Sequence, residues 1–327
     1  MTHLLRTLAG AALVSLAGSA CAQHAAYPAR PIQLIAQQPP GSASDAITRA
    51  WADCVARGLG QPVVVQNKPG ANGILAVNAL KSAPADGYTL MTIGMSQMTI
   101  TPYVYRHPPY DPLHDFESVA VLGTTPLVLA VPAEQGITRL SQLADQARSA
   151  PGGLNFASPG KGSPAHLLTS ALFDRMGVAG THVPFIGEGA GLTALMGRQI
   201  HAMTLVIGTA APQAKAGKIV PLAVFAPERS ALLPGVPTIA EALPAAQDLA
   251  RPSWIAVVAR SDTPAPLLGT LNAATEKCRS GDAGYRSRME GMNVALTPSV
   301  PGDARAWAIR DTAVWKPLID KLGLATE

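Results

Sequence analysis

From Pro31 onward the chain alternates between short runs of consecutive apolar residues and stretches in which apolar residues return every three or four positions. The runs fit buried strands, and the periodic stretches fit amphipathic helices. Turns rich in Gly, Pro and Ser separate them, giving repeated strand–turn–helix units of the α/β class. Strands are predicted over 32–36, 62–66, 88–94, 119–122, 127–132, 155–158, 182–185, 202–207, 221–225, 254–259 and 294–297. Helices are predicted over 140–149, 165–176, 191–196, 266–279 and 303–322, and in the segment after the first strand. In that segment Ile47, Ala50, Trp51, Cys54 and Val55 share one face; Ser42 or Ser44 can cap its start, and Gly58 and Gly60 end it.

No low-complexity linker and no internal repeat interrupts this pattern, and the length suits two domains. Two domains joined by strands rather than by a flexible tether predict a hinged clam. The N-terminus departs from the pattern. Arg6 precedes an apolar stretch over 8–17, and small residues lead to Ala20 and Ala22. That stretch is well short of the ~20 residues a membrane-crossing helix needs, so residues 1–22 read as a secretory signal peptide cut after Ala22. Acylation at Cys21 is disfavoured, because Gly18 stands where a larger aliphatic residue is wanted. The mature chain is expected to be soluble and periplasmic.

A net charge of +4 is mild, the basic residues form no runs, and aromatic residues make up only 5%. Neither a phosphate-tracking stripe nor a base-stacking platform is visible, so nucleic acid is not an expected partner. Of three cysteines, Cys54 and Cys278 remain after processing, in a compartment that permits disulfides. They either pair or stay as two buried thiols.

Three strand-to-helix turns share one chemistry: 38–45 (QPPGSASD), 158–163 (SPGKGS) and 185–190 (FIGEGA). Each opens a helix, whose first amides lack internal partners and carry the positive end of the dipole; glycine lets a ligand approach the backbone. Taken singly, each is an ordinary turn and cap. All three fall at the carboxyl ends of strands, where α/β sheets bind ligands, and such loops facing one cleft would cradle a carboxylate. Gly160-Lys161-Gly162-Ser163 lacks the earlier spaced glycine of a nucleotide-phosphate loop.

Catalytic signatures are missing: there is no Gly-x-Ser-x-Gly, His-Glu-x-x-His or Cys-x-x-Cys. A serine hydrolase built on Ser158 or Ser163 with His166 has no identifiable acid to orient the histidine. His166 either donates to a ligand carboxylate or supports the loop from behind. Asp111 and Asp115 read as solvated loop acids. The protein is therefore not expected to be an enzyme, and no cofactor or metal is expected.

These segments converge on a family. Tyr27 to Ile32, Leu59 to Ala71, Asp86 to Leu90, Pro109 to Pro112, Asp115-Phe116, Ala157 to His166, His182 to Phe185, Lys215 to Lys218, Arg229-Ser230 and Leu233 to Thr238 form one pattern over nearly the whole mature chain. It resembles the Bug solute receptors of tripartite tricarboxylate transporters. The resemblance implies a type II periplasmic-binding-protein fold with two α/β lobes, residues 27–128 plus 250–327 and residues 129–249, and a ligand cleft between them. Cys54 and Cys278 then fall in the same lobe.

The resemblance further implies a monomeric receptor that holds a small carboxylate by backbone amides and water, and delivers it to membrane permease subunits. A sensory receptor presenting its ligand state to a signalling partner is the alternative role on the same fold. Position by position, the implied ligand residues are Gln38, Gly41, Ser42 and Asp45; Ser96; Ser158, Gly162, Ser163 and His166; and Phe185, Ile186, Gly187, Glu188 and Ala190. The chain departs from the family's common pattern at Gln38, Ser42 and Ile186, and Glu188 adds a carboxylate. These departures would turn the site toward a monocarboxylate, an amino acid or an amide, unless Glu188 is only a solvated acid at a helix start.

Overall fold

The computed structural model describes residues 27–105 and 107–325. The expected signal peptide, residues 1–22, lies outside the described residues.

The first half of one lobe runs β1 (Ile32–Ala36), α1 (Ala43–Leu59), β2 (Val63–Asn67), α2 (Ile74–Lys81), β3 (Thr89–Gly94), α3 (Met95–Thr99) and β4 (Phe116–Thr125). The chain crosses at Pro126 into a second unit: β5 (Leu127–Pro132), α4 (Leu140–Ser149), β6 (Leu154–Ser158), α5 (Pro164–Met176), β7 (Gly180–Pro184), α6 (Glu188–Met196), β8 (Ala202–Val206), α7 (Ile207–Lys215), β9 (Ile219–Phe225) and α8 (Ile239–Ala242). It returns through β10 (Ser253–Arg260), α9 (Ala265–Gly281), α10 (Ala283–Gly291), β11 (Ala295–Leu296) and α11 (Asp303–Lys321).

Two mixed sheets result, with strand orders β11-β4-β10-β3-β1-β2 and β7-β6-β8-β5-β9. In the first, β1 runs parallel to β2 and β3, while β10 inserts antiparallel between β3 and β4. In the second, β6 is parallel to β7 and β8, and β5 is antiparallel to β8 and β9. Leu127 and Val128, counted with the first lobe from the sequence, pair in β5 of the second sheet.

Local chemistry explains the helices that matter here. Ser42 caps α1 by accepting from the Asp45 amide, and Gly60, left-handed at φ 68°, closes it. The buried face of α1 carries Ile47, Ala50, Trp51, Cys54 and Val55, as its periodicity predicts. Cys54 is disulfide-bonded to Cys278 of α9, with the Cα atoms 6.0 Å apart. Beside the bond, the Trp51 indole donates to Thr275 Oγ1 at 3.0 Å. One core lies between α1, α9, α10 and the first sheet, and another backs the second sheet under α6 and α7.

Candidate functional site

A cavity of about 440 Å³ is walled by residues of both sheet units. Onto it open the first turns of α1, α5 and α6, which are 17, 13 and 9 residues long. Ala43 and Ser44, Ala165, and Gly189 and Ala190 lie on its wall as first-turn residues, whose amides a helix leaves without internal acceptors.

Each loop is held by its own brace. In the first, Asp45 accepts from the Gly41 amide (3.0 Å), Arg49 Nε (3.0 Å) and Asn67 Nδ2 (2.8 Å). Asn67 Nδ2 also donates to Gln38 O at 2.8 Å. Burial opposes the Asp45 charge, but the hydrogen bonds from Arg49, Asn67 and Gly41 outweigh it and hold the carboxyl below its usual range.

In the second loop, Ser158 Oγ is fully buried, donates to Gly160 O at 2.8 Å and lies 2.7 Å from His182 Nε2. The Gly162 amide donates to His166 Nδ1 at 3.1 Å. The His166 and His182 rings stack with centroids 3.6 Å apart. Burial lowers the pKa of His166 to about 3, aided by His182 and Lys161, and that of His182 to about 4, aided by Lys161. Both rings are neutral at physiological pH. Ser163 caps α5 through the His166 amide, so it makes no side-chain pair with the imidazole.

In the third loop, Gly187 adopts φ +83°, a conformation that strains other residues, and α6 begins directly after it. Glu188 is not a solvated helix-start acid. Its carboxyl turns inward and accepts from the Val206 amide at 2.8 Å and from Thr209, while burial pushes its pKa up. Ile186 projects from the loop at 91% exposure.

Of the residues picked from the sequence, Gln38, Gly41, Ser42, Ser96, Ser163, Ile186, Gly187, Glu188 and Ala190 line the cavity. Asp45, Ser158, Gly162, His166 and Phe185 are off its wall: the first four brace loops, and Phe185 packs on the second sheet's core. No motif in the sequence pointed to Gln37, Asn72, Gln97, Thr125, Ser253 or Trp254, which also lie on the wall. Gln37 and Gln97 are 6% and 2% exposed, and each carries a side-chain oxygen with no partner.

Two hydrogen bonds already cross the cleft. Asn72 Nδ2 donates to Lys161 O at 3.2 Å, and Ser96 Oγ donates to Gly162 O at 3.2 Å. Asn72 is held for this in a left-handed conformation, its carbonyl taking Gln97 Nε2 and its side-chain amide also reaching Thr101 Oγ1.

Two α/β lobes with helix N-termini converging on the cavity between them define a solute receptor of the periplasmic-binding-protein type. Residues 47–324 match the family described as "Tripartite tricarboxylate transporter family receptor". The chain belongs to that family. It is 35% identical over 278 residues to Protein BugT of Bordetella pertussis, covering 83% of each chain. Among solved structures, R. palustris Rpa4515 with adipate aligns with a TM-score of 0.84 at 29% identity, covering 91% of this chain and 99% of that one. MatC of Rhodopseudomonas palustris with bound malate aligns at 0.81 and 28% identity, covering 90% and 100%.

Proposed function

We propose that this protein captures a small carboxylate between its lobes in the periplasm and presents it to the permease subunits of a tripartite tricarboxylate transporter, without chemical change to the solute. The observation that carries the proposal is the convergence of three helix N-termini on one cavity, each supplying at least one free amide and a favourable dipole for an anion. The adipate and malate bound by the two structural relatives are carboxylates of this size class.

A role as receptor rather than hydrolase fits the placement of the serines. Ser158 does meet a histidine, His182, but its hydroxyl is fully buried and its proton goes to Gly160 O. Export follows from the leader, with cleavage after Ala22 and a mature chain of residues 23–327; the mass of the protein recovered from the periplasm checks this.

Binding only to the native state raises stability by RT ln(1 + [L]/Kd), so a carboxylate at ~100 times its Kd adds about 2.7 kcal/mol. A denaturation screen of the solute-stripped protein against carboxylates, amines and neutral sugars is expected to show stabilisation by carboxylates, which are recovered unchanged afterwards. Stabilisation by amines or sugars alone would refute the proposal, and conversion of the carboxylate would refute its receptor role.

A further inference from the structure

We propose that the cavity selects carboxylates bearing a single negative charge on an apolar body, aliphatic or aromatic monocarboxylates, and disfavours dianions. The proposal rests on the carboxylate-receptor function above and narrows it. Its first support is a charge count. Each helix N-terminus is equivalent to about half an elementary charge, so three supply about one and a half. That neutralises one carboxylate and falls short of two.

Side-chain charge does not make up the difference. Among the described residues, no Lys or Arg lines the cavity. The one ionisable side chain among them that does, Glu188, is an acid whose carboxyl is engaged by the Val206 amide and Thr209, and any charge it carries repels a dianion more strongly than a monoanion.

The buried glutamines point the same way. Gln97 commits its Nε2 to the Asn72 carbonyl at 2.9 Å, so the unpartnered end of its amide is an oxygen. Rotating the amide would set oxygen against oxygen. Gln37, beside it on the wall, also leaves its oxygen unpartnered. Neither glutamine brings positive charge to this side of the wall, so a second carboxylate there would go without an ionic partner.

The remaining wall is uncharged, with hydroxyls of Ser44, Thr125 and Ser253 set among carbon. Ile47, Leu127, Val206 and Ile255 line it, and Trp254 contributes no polar edge because its indole N–H donates to Asp311 Oδ2 at 2.7 Å. Ile186 stands 91% exposed at the cavity, free to lie along an apolar ligand. An apolar body there gains by leaving water, whereas a second charge would lose its hydration with little return.

Titration calorimetry of the solute-stripped protein at neutral pH, with hexanoate and benzoate against adipate and malate, tests this. The monocarboxylates are expected to bind at least tenfold more tightly than either dianion. Ile186→Lys, at a position too exposed to disturb folding, is expected to raise adipate affinity about tenfold and leave benzoate no tighter. Equal or tighter binding of adipate or malate to the unaltered protein would overturn the selectivity and leave the receptor function standing. Absence of binding by all four would overturn both.

Discussion

Asp45 does not itself line the cavity, yet three donors, the wall residue Gly41 among them, converge on it and through them the first loop keeps its shape. Asp45→Ala leaves the Gly41 amide and Asn67 short of an acceptor and is expected to cost about 1–3 kcal/mol in stability. Carboxylate affinity should fall with it; denaturant unfolding alongside calorimetry measures both, and an unchanged affinity would show the brace to be irrelevant to binding. The stacked histidines make a second prediction, on pH. Their pKa values in the folded protein, about 3 and about 4, lie below the unfolded value near 6.5. The unfolded chain therefore binds more protons, and the stability these rings contribute is complete above about pH 6.5 and lost as pH falls toward 4 and 3. The slope is at most about 1.4 kcal/mol per pH unit for each histidine. Unfolding between pH 7 and 4.5, above the range where most carboxylates titrate, should show this slope in the native sequence and lose most of it in a His166→Phe/His182→Phe variant.

At the scale of elements, the disulfide between α1 and α9 joins parts of one lobe that lie 224 residues apart in sequence. Removing it with Cys54→Ala/Cys278→Ala is expected to cost about 2–5 kcal/mol, read from the denaturation midpoint under oxidising conditions. The bonds from Asn72 and Ser96 to the second loop hold the lobes together without belonging to the fold of either. Asn72→Gly, which suits the left-handed backbone but also loses the bond to Thr101, should cost about 1 kcal/mol in stability while weakening ligand affinity about two- to tenfold, the worth of a single hydrogen bond, mainly through faster dissociation. Surface-plasmon measurement of the two rates decides it: an effect confined to association would contradict a latch.

Elements framed by local signals were legible in the sequence. The strand at 32–36, that at 127–132 and the helix at 140–149 match β1, β5 and α4 end to end, because Pro, Gly or polar residues bound each apolar run. The centre of the first sheet was not legible to its full extent. Strand β4 extends over Phe116–Thr125 rather than 119–122, since Glu117, Ser118 and Thr124 are drawn into pairing by β10 rather than by their own propensity. Helix α6 begins at Glu188, three residues before its apolar pattern, because the acid turns inward to Val206. Within the site, the three loops were visible as strand–glycine–helix turns. Gln37, Gln97, Asn72 and Trp254 come from segments that only the topology assembles.

At the scale of the whole molecule, the chain crosses between the two sheets near Pro126 and between β9 and β10, the points about which a hinge rotation would pivot; the Asn72 and Ser96 bonds and the Lys321–Asp174 ion pair also link the two units. A ligand touching all three helix N-termini contacts both lobes at once, and that differential contact is what shifts a population toward closure. Solution scattering is expected to show a smaller radius of gyration with a bound carboxylate than without. On the proposed function, a ligand's carboxylate seated on the helix N-termini drives capture, and the most direct measurement of this is calorimetric titration with the tightest-binding carboxylate and with its methyl ester. The ester keeps the shape and apolar body but removes the charge. Binding by the acid and at least hundredfold weaker binding by the ester is the predicted result; an ester that binds as tightly as the acid would contradict it.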